Sequence, residues 1–410
     1  MEQITTVVVG AGQCGLAMSR ALARRSVEHV VLERGRIGES WRSERWDSLH
    51  LLTPNWMSAP AGHPYDGPDP DGFMSCADFA TSLERAALAD RAPIRQETRV
   101  HSLDADGGGY RLVTGRGDIA CSSVVIANGA CGLPRRPGFA GAVPAGILQL
   151  TPQDYKRPAD VREGGVLVVG ASASGLQIAR ELAAAGRRVT LAVGNHLRLP
   201  RRYRGADILW WMDRIGALDA TVADADAIRL RRLPSLPLAG YPANTDLDLN
   251  ALQDMGVEIV GRLSAIDGGT AWFSGALANA CASADLKLRR LLDRIDAYAA
   301  AVGPDAGRPY RLPATRVPDA PRLSCRLRPD GVGTVIWATG YEPDHAWVNL
   351  PVFGPKGGIR HAGGVAGNGL YVIGLRYLRN ARSSHISGAG LDAEVLADHL
   401  AAGLARSAAA

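Results

Sequence analysis

The sequence is short of paired cysteines, of long apolar runs and of concentrated charge. Its six cysteines (Cys14, Cys76, Cys121, Cys131, Cys281 and Cys325) include no C-x-x-C pair and no grouping with histidine at zinc spacing. That excludes a dithiol redox motif and a zinc module, and reads the cysteines as small buried hydrophobes of a reducing compartment. No apolar stretch approaches the roughly 18 residues of a membrane-spanning helix. The opening MEQITTVVV has no basic region ahead of an apolar core, so a cytoplasmic protein with no membrane partner is expected. The net charge of +5 is spread along the chain, without a basic block or basic–aromatic interleaving, which argues against nucleic acid as a partner.

Glycine is what the chain has in excess, 48 in 410 residues. Glycine in that quantity means tight turns and close backbone approach to ligands, and the length suggests two or three domains. One cadence occurs twice. VVVGAGQCGLAMSRAL begins at Val7 and VLVVGASASGLQIAREL begins at Val166. Each is a short apolar run, a glycine turn and a helix pattern, the start of a βαβ unit.

In the first unit the glycines fall at Gly10, Gly12 and Gly15, and an acid, Glu33, ends the next apolar run with Arg34 beside it. Gly10 permits a tight turn, Gly12 lets backbone approach a pyrophosphate, Gly15 lets the helix pack on the strands, and the helix start offers free N–H groups. An acid at that offset accepts hydrogen bonds from a ribose. The second unit keeps Gly170 and Gly175 but has Ser172 in the middle place, with Ser174 following. Eighteen residues beyond its last glycine stands Val193, not an acid, and Arg187, Arg188, His196, Arg198, Arg201, Arg202 and Arg204 cluster nearby. Guanidinium groups without a carboxylate favour a 2′-phosphate, so Arg198 and Arg201 are expected to select NADPH. Two turns therefore mean two dinucleotides, FAD and NADPH, and a flavoprotein oxidoreductase.

Two further stretches, VVIANGACGLP (Val124–Pro134) and VIWATGYEPD (Val335–Asp344), end apolar runs in small residues and glycine. Ala127 and Gly129 in the first, and Ala338, Thr339 and Gly340 in the second, are expected to lie against the flavin. The expected fold is α/β, two Rossmann-like dinucleotide-binding domains with the NADP domain inserted into the FAD domain: residues 1–157, then 158–333, then 334–410. Residues 39–72 read as an ordered loop over a site, Asp285–Ala301 and Gly390–Leu404 as helices, and Leu230–Gly256 shows no clear periodicity. DILWWMDRIGAL is an amphipathic helix whose Trp210 and Trp211 read as core.

The chain resembles the class B flavin monooxygenases, the family of flavin-containing and plant auxin-forming monooxygenases. The likeness is carried by GAGQCGLA with Glu33, ERWDSLHLLTPNWMSAP (Glu44–Pro60), GASASGLQIA, ATGYEPD and the closing GLYVIGL and SSHISGAGLDAEVLADHL segments. It implies that NADPH reduces FAD, that O2 adds to the reduced flavin at C4a, and that one oxygen atom passes to a small organic substrate. It further implies that Trp41, Leu49 and His50 lie along FAD, that Asn55 is an active-site amide, and that Ser387 and Gly388 start the last helix at the flavin. Phe139, Gly141 and Tyr155 match the family's linker signature, but its histidine position holds Thr151. N- or S-oxygenation leads; Baeyer–Villiger oxidation of a ketone, or electron transfer to a protein partner, are the alternatives, and a homodimer is left open.

Overall fold

A computed structural model describes residues 1–221, 233–302, 307–328 and 331–409; residues 230–232 of the aperiodic Leu230–Gly256 stretch lie outside the described residues. Two sheets organise the chain. The first takes strands Val365–Gly367, Leu370–Val372, Ile119–Ile126, Glu2–Val9, His29–Leu32 and Ile94–Arg95 in that spatial order, with the hairpin Val100–Asp106/Gly109–Thr114 attached beside Ile119–Ile126. The second runs Glu258–Val260, Val189–Ala192, Gly165–Val169, Val332–Trp337, Leu148–Leu150, every pairing parallel.

The strands that carry the glycine turns are central in both sheets, and their sequence shows why. Val7 and Val8, like Leu167 and Val168, are fully buried, as β-branched and apolar runs covered on both faces must be. Register repeats as well: Val9 faces Leu32 and Ile126, and Val169 faces Ala192 and Trp337. The first sheet is covered by helices Gln13–Ala23 and Ile386–Ala409, which share one apolar cluster. The last helix begins at Ile386, four residues before the start read from the sequence.

The strand pairings bear on the domain limits. Leu148–Leu150 and Val332–Trp337 both belong to the second sheet, so limits at 157/158 and 333/334 pass through it. The two crossings between sheets run side by side, because Leu133–Pro134 pairs with Tyr341–Glu342. A third, helical layer is built on Leu277–Val302, whose Leu288, Leu292 and Ile295 pack against Ile208, Leu209 and Trp211. Trp211 is buried there with its indole N–H donated to the Tyr203 carbonyl at 2.6 Å. Trp210 is half-buried, edge-on to Trp211 and beneath the Arg214 guanidinium.

Candidate functional site: two glycine turns

At the first turn Gly10 has φ +110°, and a Cβ there would stand 2.8 Å from the Ala127 carbonyl oxygen. Gly15 is required for a different reason: its Cβ would overlap the Gly10 carbonyl. The helix therefore presses onto the turn with no room for a side chain. Gly12 is the exception, since a Cβ there would meet nothing within 4 Å. Its backbone, φ −85° and ψ −173°, is one any residue adopts. The space over Gly12, at the start of an 11-residue helix whose N-cap makes no side-chain bond, is a cradle that a Cβ would fill and a pyrophosphate fits.

Glu33 is buried beside that cradle. One carboxylate oxygen accepts from the Ala11 amide at 2.8 Å and the other from the Gly35 amide at 3.0 Å, which fixes the acid while leaving acceptor capacity on both oxygens. Arg34 points elsewhere, into an ion pair with Glu44. Trp41 donates its indole N–H to Gln13 Oε1 at 3.1 Å and stands edge-on to Phe79, so this ring does lie over the helix that follows the turn. Ala127 lines the turn from the neighbouring strand end, and Gly129, φ +82°, turns the chain toward the crossing.

The second turn copies the first. Gly170 has φ +112° with Ala338 where Gly10 has Ala127, and a Cβ on Gly175 would overlap the Gly170 carbonyl. Gly170 N–H donates to Ala192 O at 3.0 Å as Gly10 N–H does to Leu32 O at 2.8 Å. Ser172 takes the place of Gly12 with nearly the same backbone, φ −96° and ψ −174°, and its hydroxyl makes no capping bond; Ser174 follows on the helix Ala173–Ala184. The geometry moves one expectation: Ala338, Thr339 and Gly340 sit beside this second turn, joined to the crossing through Arg135 N–H to Gly340 O at 2.9 Å and Thr339 to Arg135 O.

Arg198 and Arg201 require a correction. Arg198 is buried, pairing with Asp248 at 2.6 Å and Asp285 at 2.9 Å and donating to Pro313 O. Arg201 is 1% exposed, paired with Asp207 at 2.5 Å, bonded to Leu52 O at 2.9 Å and stacked on Phe73. Both guanidinium groups are buried and spent on carboxylates that tie elements of the fold together. Another cation, Arg262, follows strand Glu258–Val260 next in the sheet and stands beside Gly194, just past the end of Val189–Ala192. It donates to Asn195 Oδ1 at 2.7 Å, and its guanidinium carbon would lie 3.5 Å from a Cβ on Gly194. Nothing in the local sequence marks it, because it arrives from the neighbouring strand, 67 residues after Asn195. His196, also buried, holds the Ala171 carbonyl at 2.9 Å through Nδ1, and its Nε2 is buried without a partner; burial pushes its pKa down.

The loop after the first βαβ unit joins the domains. Leu49 is buried in the apolar cluster of the second domain, and His50 stacks on Tyr241 at 5.0 Å. Glu181, on the second turn's helix, accepts from Ser48 Oγ at 2.9 Å and from Tyr155 OH at 2.8 Å. Tyr155 is fully buried, and burial beside Glu181 pushes its phenol well up. Asn55 is buried and its amide is spent on the loop, Nδ2 on Asp69 O and Oδ1 on the Met74 amide, each at 2.8 Å. Thr151 caps its turn instead of acting as an imidazole, bonding Asp154 through both N–H and hydroxyl.

At the start of the last helix, Ser387 Oγ and His385 Nδ1 are buried without partners, and a Cβ on Gly388 would overlap the Arg382 carbonyl. Burial and the nearby Arg382 and Arg376 hold His385 down at about 4, a neutral imidazole. Unpartnered buried polar atoms at a helix start are what a polar ligand would satisfy. No group of three or more His, Cys, Asp or Glu suited to a metal exists among the described residues.

Two glycine turns between parallel strands, one with a buried ribose-type acid and one without, define a flavoprotein oxidoreductase that uses a pyridine nucleotide. Residues 7–204 match the pyridine nucleotide-disulphide oxidoreductase family. Across 97% of this chain and 98% of the relative, it is 30% identical to an uncharacterized CzcO-like oxidoreductase of Geobacillus kaustophilus. The rice indole-3-pyruvate monooxygenase YUCCA1 is 30% identical over 204 residues, 48% of this chain and 50% of that protein. In fold, the chain matches a flavin-containing monooxygenase from Stenotrophomonas maltophilia with a TM-score of 0.68, at 18% identity over 98% of this chain and 99% of that one. The chain belongs to the family of CzcO-like oxidoreductases, and its fold is that of the flavin-containing monooxygenases. No described helix is long and apolar enough to cross a membrane.

Proposed function

We propose that this protein binds FAD at the Gly10–Gly15 turn and NADPH at the Gly170–Gly175 turn, and uses NADPH and O2 to place one oxygen atom on a nitrogen or sulfur of a small organic substrate. The observation that carries the reading is the repeat itself: two turns of the same register, on sheets linked by paired crossings, differing at the residue that meets the adenosine ribose. FAD, when bound, supplies hydride acceptance and O2 chemistry; the chain's residues bind and orient.

Gly12 and the amides behind it hold the FAD pyrophosphate, and Glu33 the ribose hydroxyls. Trp41 and the Glu44–Pro60 loop would close one side, and Ser387 with the first amides of the last helix would offer hydrogen-bond donors to the flavin. In the second domain Ser172 and Ser174 take the phosphates, and Arg262 with Asn195 takes the 2′-phosphate, a bidentate guanidinium partner where the first domain has Glu33. The Ser48–Glu181–Tyr155 contact sets one turn against the other, in a linker whose usual histidine position is Thr151. The geometry supports Asn55 as a loop staple and not as a group on substrate.

A disulfide reductase reading is weaker. All six cysteines are free, and burial pushes Cys14, beside the first turn, up to about 12 with Asp392 adding to the rise, which disfavours the thiolate such chemistry needs. The test is purification as a yellow protein, followed by titration with NADPH and NADH. FAD retention and a preference for NADPH that disappears in Arg262→Ser support the assignment, and indifference to Arg262→Ser overturns the 2′-phosphate site.

A further inference from the structure

The end of the second sheet that lies away from the glycine turn carries a feature the redox reading does not use. Strands Gly165–Val169, Val189–Ala192, Glu258–Val260 and Val332–Trp337 all begin around a cleft of about 420 Å³. Four arginines line it, Arg188, Arg322, Arg326 and Arg328, of which Arg322 is paired with Glu258 and Arg328 is also engaged. Among the described lining residues Glu258 is the only acid, and it is already engaged: its Oε2 accepts from Thr190 Oγ1 at 2.9 Å and from Arg322. Among the described residues Arg188 has no carboxylate partner, only a 3.4 Å contact to the Gly331 carbonyl.

Convergent cations around a concave site focus a positive potential that raises the local concentration of anions. Arginine is the side chain whose planar donor fork matches carboxylate and phosphate oxygens in pairs. The volume lies in the range of small-ligand pockets, roughly 300–1,000 Å³, and the site is a cleft between strand starts, not a broad face of the kind that meets a macromolecule. We propose that this cleft binds a small organic anion carrying two or more negative charges, a phosphorylated or polycarboxylate metabolite, with Arg188 and Arg326 as its principal contacts. Just beyond the far ends of the same four strands lie Gly170, Gly194, Arg262 and Ala338, so the cleft and the proposed nucleotide site are at opposite ends of one sheet.

The inference stands on the cleft and not on the redox chemistry, and the experiment keeps them apart. The FAD-loaded protein, saturated with NADP⁺ so that the phosphate-binding turns are filled, is titrated calorimetrically with inorganic pyrophosphate and separately with citrate. One site per chain is expected for at least one of them, weakening as salt is added. Arg188→Ser combined with Arg326→Ser should weaken that site at least tenfold and leave NADPH affinity unchanged, whereas Arg262→Ser should do the reverse. Both replaced cations are at the surface, so the variants should fold as wild type, checked by their melting temperatures. No binding of either anion up to about 10 mM, a free energy weaker than roughly 3 kcal/mol, overturns the proposal. So does binding that the Arg188/Arg326 pair does not affect.

Discussion

Replacing Gly12 by alanine should leave the folded protein nearly untouched and still cost FAD binding heavily, while Gly15→Ala should damage the fold itself. At Gly12 the backbone suits any residue and a Cβ meets no atom within 4 Å. Ser172 shows that the second turn carries a side chain in nearly the same conformation. Two effects on stability oppose each other. Alanine restricts the unfolded chain by about 0.4–1 kcal/mol in favour of folding, and it is a poorer N-cap than glycine by a similar amount, so the change should stay within about 1 kcal/mol. The new methyl, however, would enter the space assigned to the pyrophosphate and, unlike the Ser172 side chain at the second turn, would bring no hydroxyl to bond it. Displacing one or two charge-assisted hydrogen bonds, at about 1.5–3 kcal/mol each, weakens FAD at least tenfold. At Gly15 the added methyl overlaps the Gly10 carbonyl, which is backbone and cannot swing aside, so a loss of about 3 kcal/mol or more is expected. Urea unfolding of the apoprotein and fluorescence titration with FAD separate the two. Wild-type FAD affinity in Gly12→Ala, or wild-type stability in Gly15→Ala, would refute the reasoning.

Further outcomes are expected elsewhere. Tyr155→Phe removes a fully buried donor from Glu181, and should lower stability by about 1.5–3 kcal/mol and slow flavin reduction at saturating NADPH more than it changes NADPH affinity; an unchanged reduction rate would sever the contact from domain alignment. Arg262→Ser should raise the Kd for NADPH by tenfold or more, a loss of about 1.5–3 kcal/mol, with NADH unaffected, read by competition binding. His345 is buried, with Nε2 unpartnered and its pKa pushed down to about 4 by burial from 6.5. The unfolded chain then takes up the proton first, so stability is full above pH 6.5 and falls as pH drops toward 4, by an amount on the order of 3 kcal/mol. His345→Gln should flatten that acid slope in urea midpoints, and a slope identical to wild type would contradict the assignment.

The parts of the site legible in the sequence are those whose neighbours are close along the chain. Gly10, Gly12, Gly15 and Glu33 form one βαβ unit, and spacing alone implies their roles because strand, turn and helix follow without interruption. Arg198 and Arg201 were not legible in the same way. Whether a guanidinium is free depends on Asp207, Asp248 and Asp285, up to 87 residues away, and no local pattern records that. Arg262 is invisible for the converse reason, since strand order, not sequence, sets it beside Gly194. Ala338–Gly340 shows the same limit: the ATG turn is recognisable, but only the pairing of Val332–Trp337 with Gly165–Val169 reveals which turn it serves. The helix read as starting at Asp285 begins at Leu277, where the small-residue run LANACASA has good helix formers but little amphipathic contrast.

The most direct test of the monooxygenase reading is made on the purified FAD-loaded protein, reduced anaerobically with one equivalent of NADPH and then mixed with O2 while the flavin spectrum is followed. The account predicts complete reduction by NADPH, then a transient species distinct from both reduced and oxidised flavin that decays more slowly when NADP⁺ stays bound. Direct return to oxidised flavin with stoichiometric hydrogen peroxide, and no intervening species, would contradict it.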